Sequence, residues 1–368
     1  MKIKIAFLSS YLPKKGPVKV LLEKIKHIDY SKFEVYIYTF KNEVEHSYLG
    51  EFVKYPVHIT QIKQGGKFNI LKKAKVLQKE LDEKGIEIVH SHCLPTLFIS
   101  VLLKRKIRFN TIHIYPGIQL KKKKGGVIGS VVNTLNKMAL RKIEYPICCS
   151  RSISEEFKEN DNLDFPYIQN GVSKIDYPYT DRNEICQQLE LDPSYRYFIS
   201  FGRFSKEKNF QFLIEAFKNI SDKKFRLIIL GDGPLYPTLK LKETESIIIP
   251  GFKENIYDYL FISDYYTSSS ITEGLPMSVL EAMSMKKPVL LSDIAPHKEI
   301  LIEDGAGILY SLNNPDDFKR KIETFEDLNY NDMSDASYRL FKSNFSSEIM
   351  SKRYQRLYLA EYNDNSNI

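Results

Sequence analysis

The 368-residue sequence contains no tryptophan, four cysteines and no apolar run that approaches the length of a membrane span. The cysteines have neither metal-ligand nor thioredoxin-like spacing, so we expect buried, reduced thiols at Cys93, Cys148, Cys149 and Cys186. The apolar residues of the first segment, Met1–Ser9, are too few for a signal peptide and predict a strand. These absences exclude a membrane-spanning chain, and we expect a cytosolic protein.

Short apolar runs alternate with helical patterns along the whole chain, which is typical of α/β domains built on parallel sheets. The predicted strands are Ile3–Ser9, Phe33–Phe40, Val57–Ile62, Glu87–Ser91, Asn110–Ile114, Ile147–Ser150, Tyr167–Gln169, Tyr197–Phe201, Arg226–Leu230, Ile247–Ile249, Tyr265–Ser268, Val289–Ser292 and Gly307–Tyr310. A polar stretch without apolar periodicity, Ser173–Asn183, predicts a linker. The length and this break predict two domains of similar size, followed by a last helix over Phe345–Tyr362.

The segment Ser269–Met283 sets two carboxylates, Glu273 and Glu281, on either side of a predicted helix start. Pro276 suits the first helical position, and Gly274 lets a ligand approach the backbone. The free N–H groups of a first helical turn form a site for a phosphate, so the pattern indicates a clamp around a diphosphate-containing ligand. The alternative is an amphipathic helix with a capping acid and an exposed Glu281.

A second pattern, Phe198–Asn209, is an apolar strand that ends in Gly202 and Arg203, with Lys208 shortly after. Ligands of open α/β sheets bind at the carboxyl ends of the strands. The charge of a departing diphosphate is offset either by a divalent metal or by paired cations. Since the chain has no Asp-x-Asp pair, Arg203 and Lys208 are expected to take the place of a metal.

These motifs, in this order, resemble the retaining glycosyltransferases of the GT-B architecture, in the family known as glycosyltransferase family 4. Further family-like segments, in the order that the family has them, are Lys15–Val18, His90–His92, Thr111–His113, Ser150–Ser152, Asn170–Val172, Leu230–Pro234 and Pro250–Phe252. Pro17 departs from the family, which more often has a second glycine there; proline has no N–H to offer a donor phosphate.

The resemblance implies an α/β protein with two Rossmann-like domains that face each other across a cleft. It places an N-terminal acceptor-side domain at 1–175, a nucleotide-sugar donor domain at 176–345 and a C-terminal helix that returns to the first domain at 346–368. The implied reaction is metal-independent transfer of a sugar, with retention, from a UDP-sugar, or else a GDP-sugar, to an acceptor hydroxyl. No cofactor is implied.

The resemblance also implies the roles of the site residues. Glu273 would orient the sugar hydroxyls, Glu281 would hold the ribose, and His113 would touch the donor sugar. The implied catalytic residues are His113, Arg203, Lys208 and Glu273. The implied donor-binding residues are Gly16, Gly202, Gly274, Leu275, Pro276 and Glu281.

Positive charge is concentrated between Val101 and Tyr145, where eleven cationic side chains face the single acid Glu144, although the whole chain carries only +8. A basic patch attracts an anionic membrane surface. Enzymes that the chain resembles extend lipid-linked sugars at the inner face of bacterial membranes, so the acceptor would be a glycan or lipid-linked glycan and the enzyme peripheral to that face. The alternative is a solvated basic loop; nucleic acid is disfavoured because no binding motif accompanies the patch.

Two other functions remain open at this point. One is a catalytically silent GT-B partner that binds a sugar, a peptide or another enzyme. The other is an enzyme of the same architecture, such as a nucleotide-sugar epimerase or a phosphorylase.

Overall fold

The apolar runs of the first half of the chain become the strands of a parallel sheet. The computed structural model describes residues 2–63, 69–116, 126–220, 224–303 and 305–366. Within them the first six strands are β1 Ile3–Ser9, β2 Phe33–Thr39, β3 Val57–Gln61, β4 Ile88–Ser91, β5 Ile107–Ile112 and β6 Tyr145–Cys148. Their order in the sheet is β3-β2-β1-β4-β5-β6. β1 therefore lies between β2 and β4, and the connections reverse direction at the β1–β4 pair.

Helices connect these strands. They are α1 Gly16–Lys26, α2 Leu49–Phe52, α3 Ile70–Glu83, α4 Leu94–Val101, α5 Gly126–Leu140 and α6 Arg151–Asp161. Leu77 and Leu81 of α3 pack with Tyr38 and Val89 of the sheet in one continuous apolar core. Parallel strands need such crossover helices, and the buried helix face covers the sheet.

The second half repeats the same arrangement. Its strands are β7 Arg196–Phe201, β8 Phe225–Leu230, β9 Ile247–Gly251, β10 Tyr265–Ser268, β11 Val289–Ser292 and β12 Gly307–Tyr310. The described strands form a second six-stranded parallel sheet with the order β12-β11-β10-β7-β8-β9. Its helices are α7 Arg182–Gln188, α8 Phe210–Lys218, α9 Tyr236–Lys240, α10 Ile256–Ile262, α11 Met277–Ser284, α12 Ala295–Ile300, α13 Pro315–Asp327 and α14 Tyr330–Asn344. Here the reversal lies between β7 and β10.

The chain divides into two compact units. The first unit comprises Met1–Gly171 and Ser347–Ile368, and the second comprises Val172–Ser346. The last helix, α15 Ser347–Ser366, thus belongs to the first unit. It is held there by long-range hydrogen bonds: the Ser351 hydroxyl donates to the Lys24 carbonyl over 2.8 Å, and the Gln355 amide donates to the His27 carbonyl over 2.9 Å.

The predicted α/β class with two Rossmann-like domains is confirmed. β1, β10, β11 and β12 have the predicted bounds, and most other strands differ from the prediction by one to three residues at an end. The predicted strand Tyr167–Gln169 is wrong. Tyr167 forms only an isolated bridge with Cys148, because the chain runs beside the end of β6 for a few residues and then leaves the sheet.

Candidate functional site

In the second unit, the loops that follow β7 and β10 lie side by side at the carboxyl edge of the sheet. The two strands are neighbours and mark the point where the strand order reverses. The Ile271 N–H donates to the Glu207 carbonyl, and the Ser269 hydroxyl lies 3.0 Å from the Lys208 carbonyl. Open α/β sheets bind ligands at such a reversal, outside the carboxyl ends of the strands.

These two loops bring Lys208 and Glu273 together. The Lys208 ammonium donates to Oε1 of Glu273 over 2.6 Å, and the side chains are 21% and 14% exposed. Burial by itself opposes both charges, but the attraction and hydrogen bond between them prevail: the pKa of Lys208 is raised, and the pKa of Glu273 is lowered. The pair is therefore ionised at neutral pH. Lys208 and Glu273, predicted to act separately on the ligand, here form an ion pair with each other.

The same carboxylate has a second donor. The Ser270 hydroxyl donates to Oε1 of Glu273 over 2.6 Å. Oε2 of Glu273 has no hydrogen-bond partner among the described residues. One carboxylate oxygen thus remains available to accept a hydrogen bond from a ligand.

Gly202 sits at the end of β7 with a φ of +153°, against the Lys208 side chain. A Cβ there would approach Lys208 Cε to 3.2 Å, and a Cβ on Gly231 would meet the Gly202 carbonyl oxygen at 1.9 Å. Both the backbone angle and the contact with Lys208 favour glycine at 202, and its predicted ligand-binding role stays a prediction.

Arg203 lies beside Gly202 with an exposed side chain. Among the residues that the structure describes, it has no ion-pair or hydrogen-bond partner. Its guanidinium, unlike the ammonium of Lys208, is not neutralised by a carboxylate.

The helix between the two clamp carboxylates begins one residue later than predicted. α11 starts at Met277, and Pro276 is its N-cap, with φ −73° and ψ 112°, rather than its first helical residue. No side chain caps the helix, and Gly274 and Leu275 are buried immediately before it. The start of α11 is therefore a helix N-terminus without a side-chain acceptor, at the edge of the sheet where ligands bind.

Glu281 lies on α11, and all eight residues of this helix are buried. The Tyr257 hydroxyl donates to Oε1 of Glu281 over 2.9 Å. The interpretation of α11 as an amphipathic surface helix with an exposed Glu281 is wrong, because that side chain is 6% exposed. A buried carboxylate is costly unless it is hydrogen-bonded, and Tyr257 supplies such a bond.

Sequence reasoning missed His297, Tyr257 and Ser270. His297 is fully buried at the start of α12, and its Nδ1 atom lies 2.8 Å from the Ser292 carbonyl oxygen. Burial lowers its pKa to about 4, and Nε2 has no partner among the described residues. Of these three residues, only His297 could have been proposed as a site residue from the sequence, because it stands shortly after an apolar strand.

In the first unit, Gly16 is the first residue of α1. It is exposed, and a Cβ there would meet no atom within 4 Å. Pro17 stands at the second helical position, where its missing N–H breaks no helical hydrogen bond. Nothing in the described residues requires glycine at this position.

His113 follows β5 directly, at the carboxyl end of the sheet. Its Nε2 atom lies 3.3 Å from Nδ1 of His92, which follows the neighbouring β4. Burial, with a smaller effect of Lys24, lowers the pKa of His113 to about 3. The imidazole is therefore neutral at physiological pH and can hydrogen-bond a ligand without charging it.

The contacts of His90 indicate a structural role. Its two ring nitrogens lie 2.5 Å from the Tyr358 hydroxyl and 2.8 Å from the Thr111 hydroxyl. The Tyr354 hydroxyl also reaches Thr111, over 3.1 Å. This network connects α15 to β4 and β5, the strands that position His92 and His113.

Of the cysteines, Cys148, Cys149 and Cys186 are buried as predicted, whereas Cys93 is only half-buried. Its Sγ atom lies 3.1 Å from the Ser10 hydroxyl, so it connects the loops after β1 and β4. Among the described residues, no group of three or more His, Cys, Asp or Glu side chains is placed to hold a metal ion.

In the basic segment between Val101 and Tyr145, acidic side chains offset part of the positive charge. Lys106, Arg108 and Lys137 form ion pairs with Asp82, Glu144 and Asp161. The run Lys121–Lys124 lies outside the described residues. The remaining described cations of the segment, Lys104, Arg105, Arg141 and Lys142, are exposed.

Comparisons with known proteins agree with this architecture. Residues 181–340, within the second unit, match the family model "Glycosyl transferases group 1". An uncharacterized glycosyltransferase of Methanocaldococcus jannaschii is 26% identical over 332 residues, which is 87% of each chain. The Escherichia coli UDP-Gal:alpha-D-GlcNAc-diphosphoundecaprenol alpha-1,3-galactosyltransferase is 24% identical over 86% of each chain.

A solved structure shows the same fold over the full length. The Anabaena protein HepE, in complex with UDP-glucose, superposes with a TM-score of 0.79 at 17% identity, covering 97% of this chain and 100% of HepE. The second unit therefore matches the model of the group 1 glycosyltransferases, the chain is similar to glycosyltransferases over most of its length, and its two Rossmann-like sheets have the GT-B fold.

Proposed function

We propose that the chain transfers a sugar, with retention at the anomeric carbon, from a nucleoside-diphosphate sugar to an acceptor hydroxyl. The observation that carries the proposal is the ionised Lys208–Glu273 pair at the strand-order reversal of the second unit, between the exposed Arg203 and the start of α11. In the reaction the bond from the anomeric carbon to the diphosphate breaks and a bond to the acceptor oxygen forms on the same face. The departing phosphate takes the acceptor proton.

Arg203, Lys208 and the start of α11 stabilise the diphosphate as it departs. Arg203 brings a charge that no described carboxylate offsets, and Lys208 is held in place by Glu273. The helix start, at Gly274, Leu275 and Pro276, presents the positive end of the α11 dipole. Loss of one such preorganised donor costs roughly 2.7 to 4 kcal/mol of transition-state stabilisation. Under this proposal the reaction needs no metal ion.

The two carboxylates hold opposite ends of the donor. Oε2 of Glu273 accepts hydrogen bonds from the sugar hydroxyls, because Oε1 is already occupied by Lys208 and Ser270. Glu281, with Tyr257 beside it, holds the ribose. Gly202 leaves room for the Lys208 side chain at the end of β7. In the first unit, the neutral His113 contacts the donor sugar, and the backbone at Gly16 approaches a donor phosphate.

The relatives support a uridine donor and a lipid-linked acceptor. The Escherichia coli relative is named for UDP-galactose and a diphosphoundecaprenol-linked acceptor, and HepE was solved with UDP-glucose. By analogy we propose a UDP-sugar in preference to a GDP-sugar, and a lipid-linked glycan of a bacterial surface polysaccharide as the acceptor. The enzyme would then act in the cytoplasm, peripherally at the inner face of the membrane.

Calorimetric titration of UDP, GDP and ADP in EDTA tests the clamp. UDP should bind the wild type with the highest affinity, and Glu281→Gln should weaken that binding at least about tenfold, since a charge-assisted hydrogen bond contributes about 1.5–3 kcal/mol. The matched control is Glu323→Gln, an exposed glutamate on α13, which should leave binding unchanged. Equal binding by Glu281→Gln, or binding only when Mg²⁺ is added, would contradict the proposal.

A further inference from the structure

His297 of the second unit is fully buried and makes its described hydrogen bonds through one ring nitrogen. Its Nδ1 atom lies 2.8 Å from the Ser292 carbonyl oxygen and 3.1 Å from the Ser292 hydroxyl oxygen. A carbonyl oxygen can only accept a hydrogen bond, so Nδ1 carries the proton and donates it. The other nitrogen, Nε2, has no hydrogen-bond partner among the described residues. The polar contact of this imidazole is therefore its donation to Ser292.

Ser292 connects this histidine to the loop after β10. It is the last residue of β11, and its hydroxyl donates to the Ser270 carbonyl over 2.6 Å. The Ser270 hydroxyl donates in turn to Oε1 of Glu273 over 2.6 Å. Hydrogen bonds thus lead from His297 through Ser292 and Ser270 to the carboxylate of the ion pair. We call His297, Ser292 and Ser270 the Glu273 support.

Further buried groups fix the direction in which the Ser270 hydroxyl donates. This hydroxyl accepts from the Ser268 hydroxyl over 3.2 Å, and the Tyr310 hydroxyl donates to the Ser268 carbonyl over 2.9 Å. The residues at positions 268, 270, 292 and 297 are each at most 4% exposed. A hydrogen bond is electrostatically stronger in this interior than in water, and water does not compete for it. The Ser270 hydroxyl is therefore directed at Oε1 of Glu273.

The Glu273 support also determines which oxygen of that carboxylate faces a ligand. Ser270 and the Lys208 ammonium both bind Oε1, so the carboxylate exchanges its two oxygens only if both bonds break. Oε2 is the atom that the proposed function assigns to the sugar hydroxyls. A displacement of about 1 Å in such a group can lower a reaction rate about 10²-fold. The position of Oε2 thus depends on bonds that begin at His297.

We propose that His297 is a positioning residue for Glu273, acting through Ser292 and Ser270 without contacting the substrate. The inference rests on the proposed function in one respect, since it takes Oε2 of Glu273 as the acceptor of the sugar hydroxyls. A histidine that only stabilised the turn between β11 and α12 would affect stability and nucleotide binding together. A positioning residue affects the step that involves the sugar and leaves nucleotide binding intact.

Two substitutions at position 297 separate the hydrogen bond from the volume of the ring. The amide of His297→Asn can donate to the Ser292 carbonyl in place of Nδ1, whereas His297→Leu fills the space without a donor. His297→Leu should slow the release of UDP from UDP-glucose or UDP-galactose, with water as the acceptor, about 10–10²-fold. Its affinity for UDP should be that of the wild type, because Arg203 and Glu281 do not belong to the support. His297→Asn should retain most of the wild-type rate.

A double-substitution cycle tests the route of the effect. Ser270→Ala removes the hydroxyl that contacts Glu273, at the other end of the support. His297→Leu combined with Ser270→Ala should be no slower than the slower single variant, because residues that act as a unit are not additive. The matched control combines His297→Leu with Arg203→Ala, whose effects on the rate should multiply.

A measurement without ligand tests the support itself. Long-range ¹H–¹⁵N NMR spectra should show the His297 imidazole as the neutral tautomer with its proton on Nδ1, assigned by the loss of its signals in His297→Leu. A proton on Nε2 would overturn the proposal, because Nδ1 could then not donate to Ser292. Equal losses of UDP affinity and UDP release in His297→Leu, or equal impairment of His297→Asn and His297→Leu, would also overturn it.

Failure of the proposed function gives a different result. A wild type that neither binds UDP nor releases it from a UDP-sugar would contradict the proposed reaction. The tautomer of His297 would then decide by itself whether the Glu273 support exists.

Discussion

The two units share one strand order but differ in the chemistry at the reversal of that order. In the first unit the neighbouring loops meet through the uncharged Ser10 and Cys93, with neutral His92 and His113 beside them. In the second unit the corresponding loops meet through the ions Lys208 and Glu273. The fold therefore supplies the location of a site, and the side chains at that location decide its chemistry.

Burial disfavours the charged form of the ionisable side chains at the strand-order reversal of both units. Whether these side chains stay charged depends on whether a counter-ion lies beside them. The pKa values of His92 and His113 are lowered by burial and further by Lys24, whose own pKa burial lowers. These groups have no counter-ion in the described part of the unit that could keep them charged. Lys208 and Glu273 are each other's counter-ion and stay ionised.

The largest expected effect comes from breaking the ion pair. Glu273→Gln leaves the Lys208 ammonium half-buried without its counter-ion and removes the proposed acceptor of the sugar hydroxyls. We expect the transfer rate to fall about 10²–10³-fold and the free energy of unfolding to fall by about 1–3 kcal/mol. A radiolabelled-donor assay and urea denaturation measure the two quantities.

The matched control is the exposed pair Lys286–Asp335 in the same unit, whose side chains are each 56% exposed. Asp335→Asn should cost less than about 0.5 kcal/mol and leave the rate unchanged, because surface ion pairs contribute little. Equal effects of Glu273→Gln and Asp335→Asn on rate and stability would mean that the Lys208–Glu273 pair contributes no more than an exposed ion pair. The proposed difference in chemistry between the two units would then be contradicted.

The neutral histidines of the first unit should make the protein sensitive to acid. A buried imidazole whose folded pKa lies well below 6.5 binds a proton first in the unfolded state. The unfolded state is therefore favoured as the pH falls below about 6.5, because the buried imidazole of His92 binds a proton less readily in the folded state than in the unfolded state. The free energy of unfolding, measured in urea at a series of pH values, should decrease over this window.

Two substitutions test whether His92 causes this dependence of stability on pH. His92→Asn should flatten the decrease between pH 6.5 and 5, whereas His58→Gln, at a side chain that is 60% exposed, should leave it as in the wild type. A steep wild-type decrease that His92→Asn does not alter would locate the acid sensitivity elsewhere.

The smallest change in stability is expected at Gly16. Gly231→Ala should destabilise the second unit by about 1–3 kcal/mol, because its Cβ would collide with the Gly202 carbonyl. Gly16→Ala should change stability by less than about 0.5 kcal/mol, since its Cβ meets open space, yet weaken donor binding if a phosphate approaches there. Thermal unfolding and UDP-sugar titration separate the two cases, and unchanged donor affinity in Gly16→Ala would remove Gly16 from the site.

Much of the fold could be predicted because its signals are local. The apolar runs of β1 and β10 and the Gly-Leu-Pro stretch before α11 are visible over a few consecutive residues. The errors arose where a distant contact decides. Tyr167–Gln169 has the composition of a strand, but only a bridge to Cys148 is available to it.

The sequence by itself determined the α/β class, the restart of the strand pattern in the second half and the spacing of Glu273 and Glu281 about the helix, because periodicity and spacing are properties of consecutive residues. Only the tertiary structure decided that Lys208 reaches Glu273 across 65 residues, that Glu281 is buried against Tyr257, and that a chain of hydrogen bonds connects His297 to Glu273. Each of these depends on which segments the sheet order brings together and which face it covers. No local pattern carries that information.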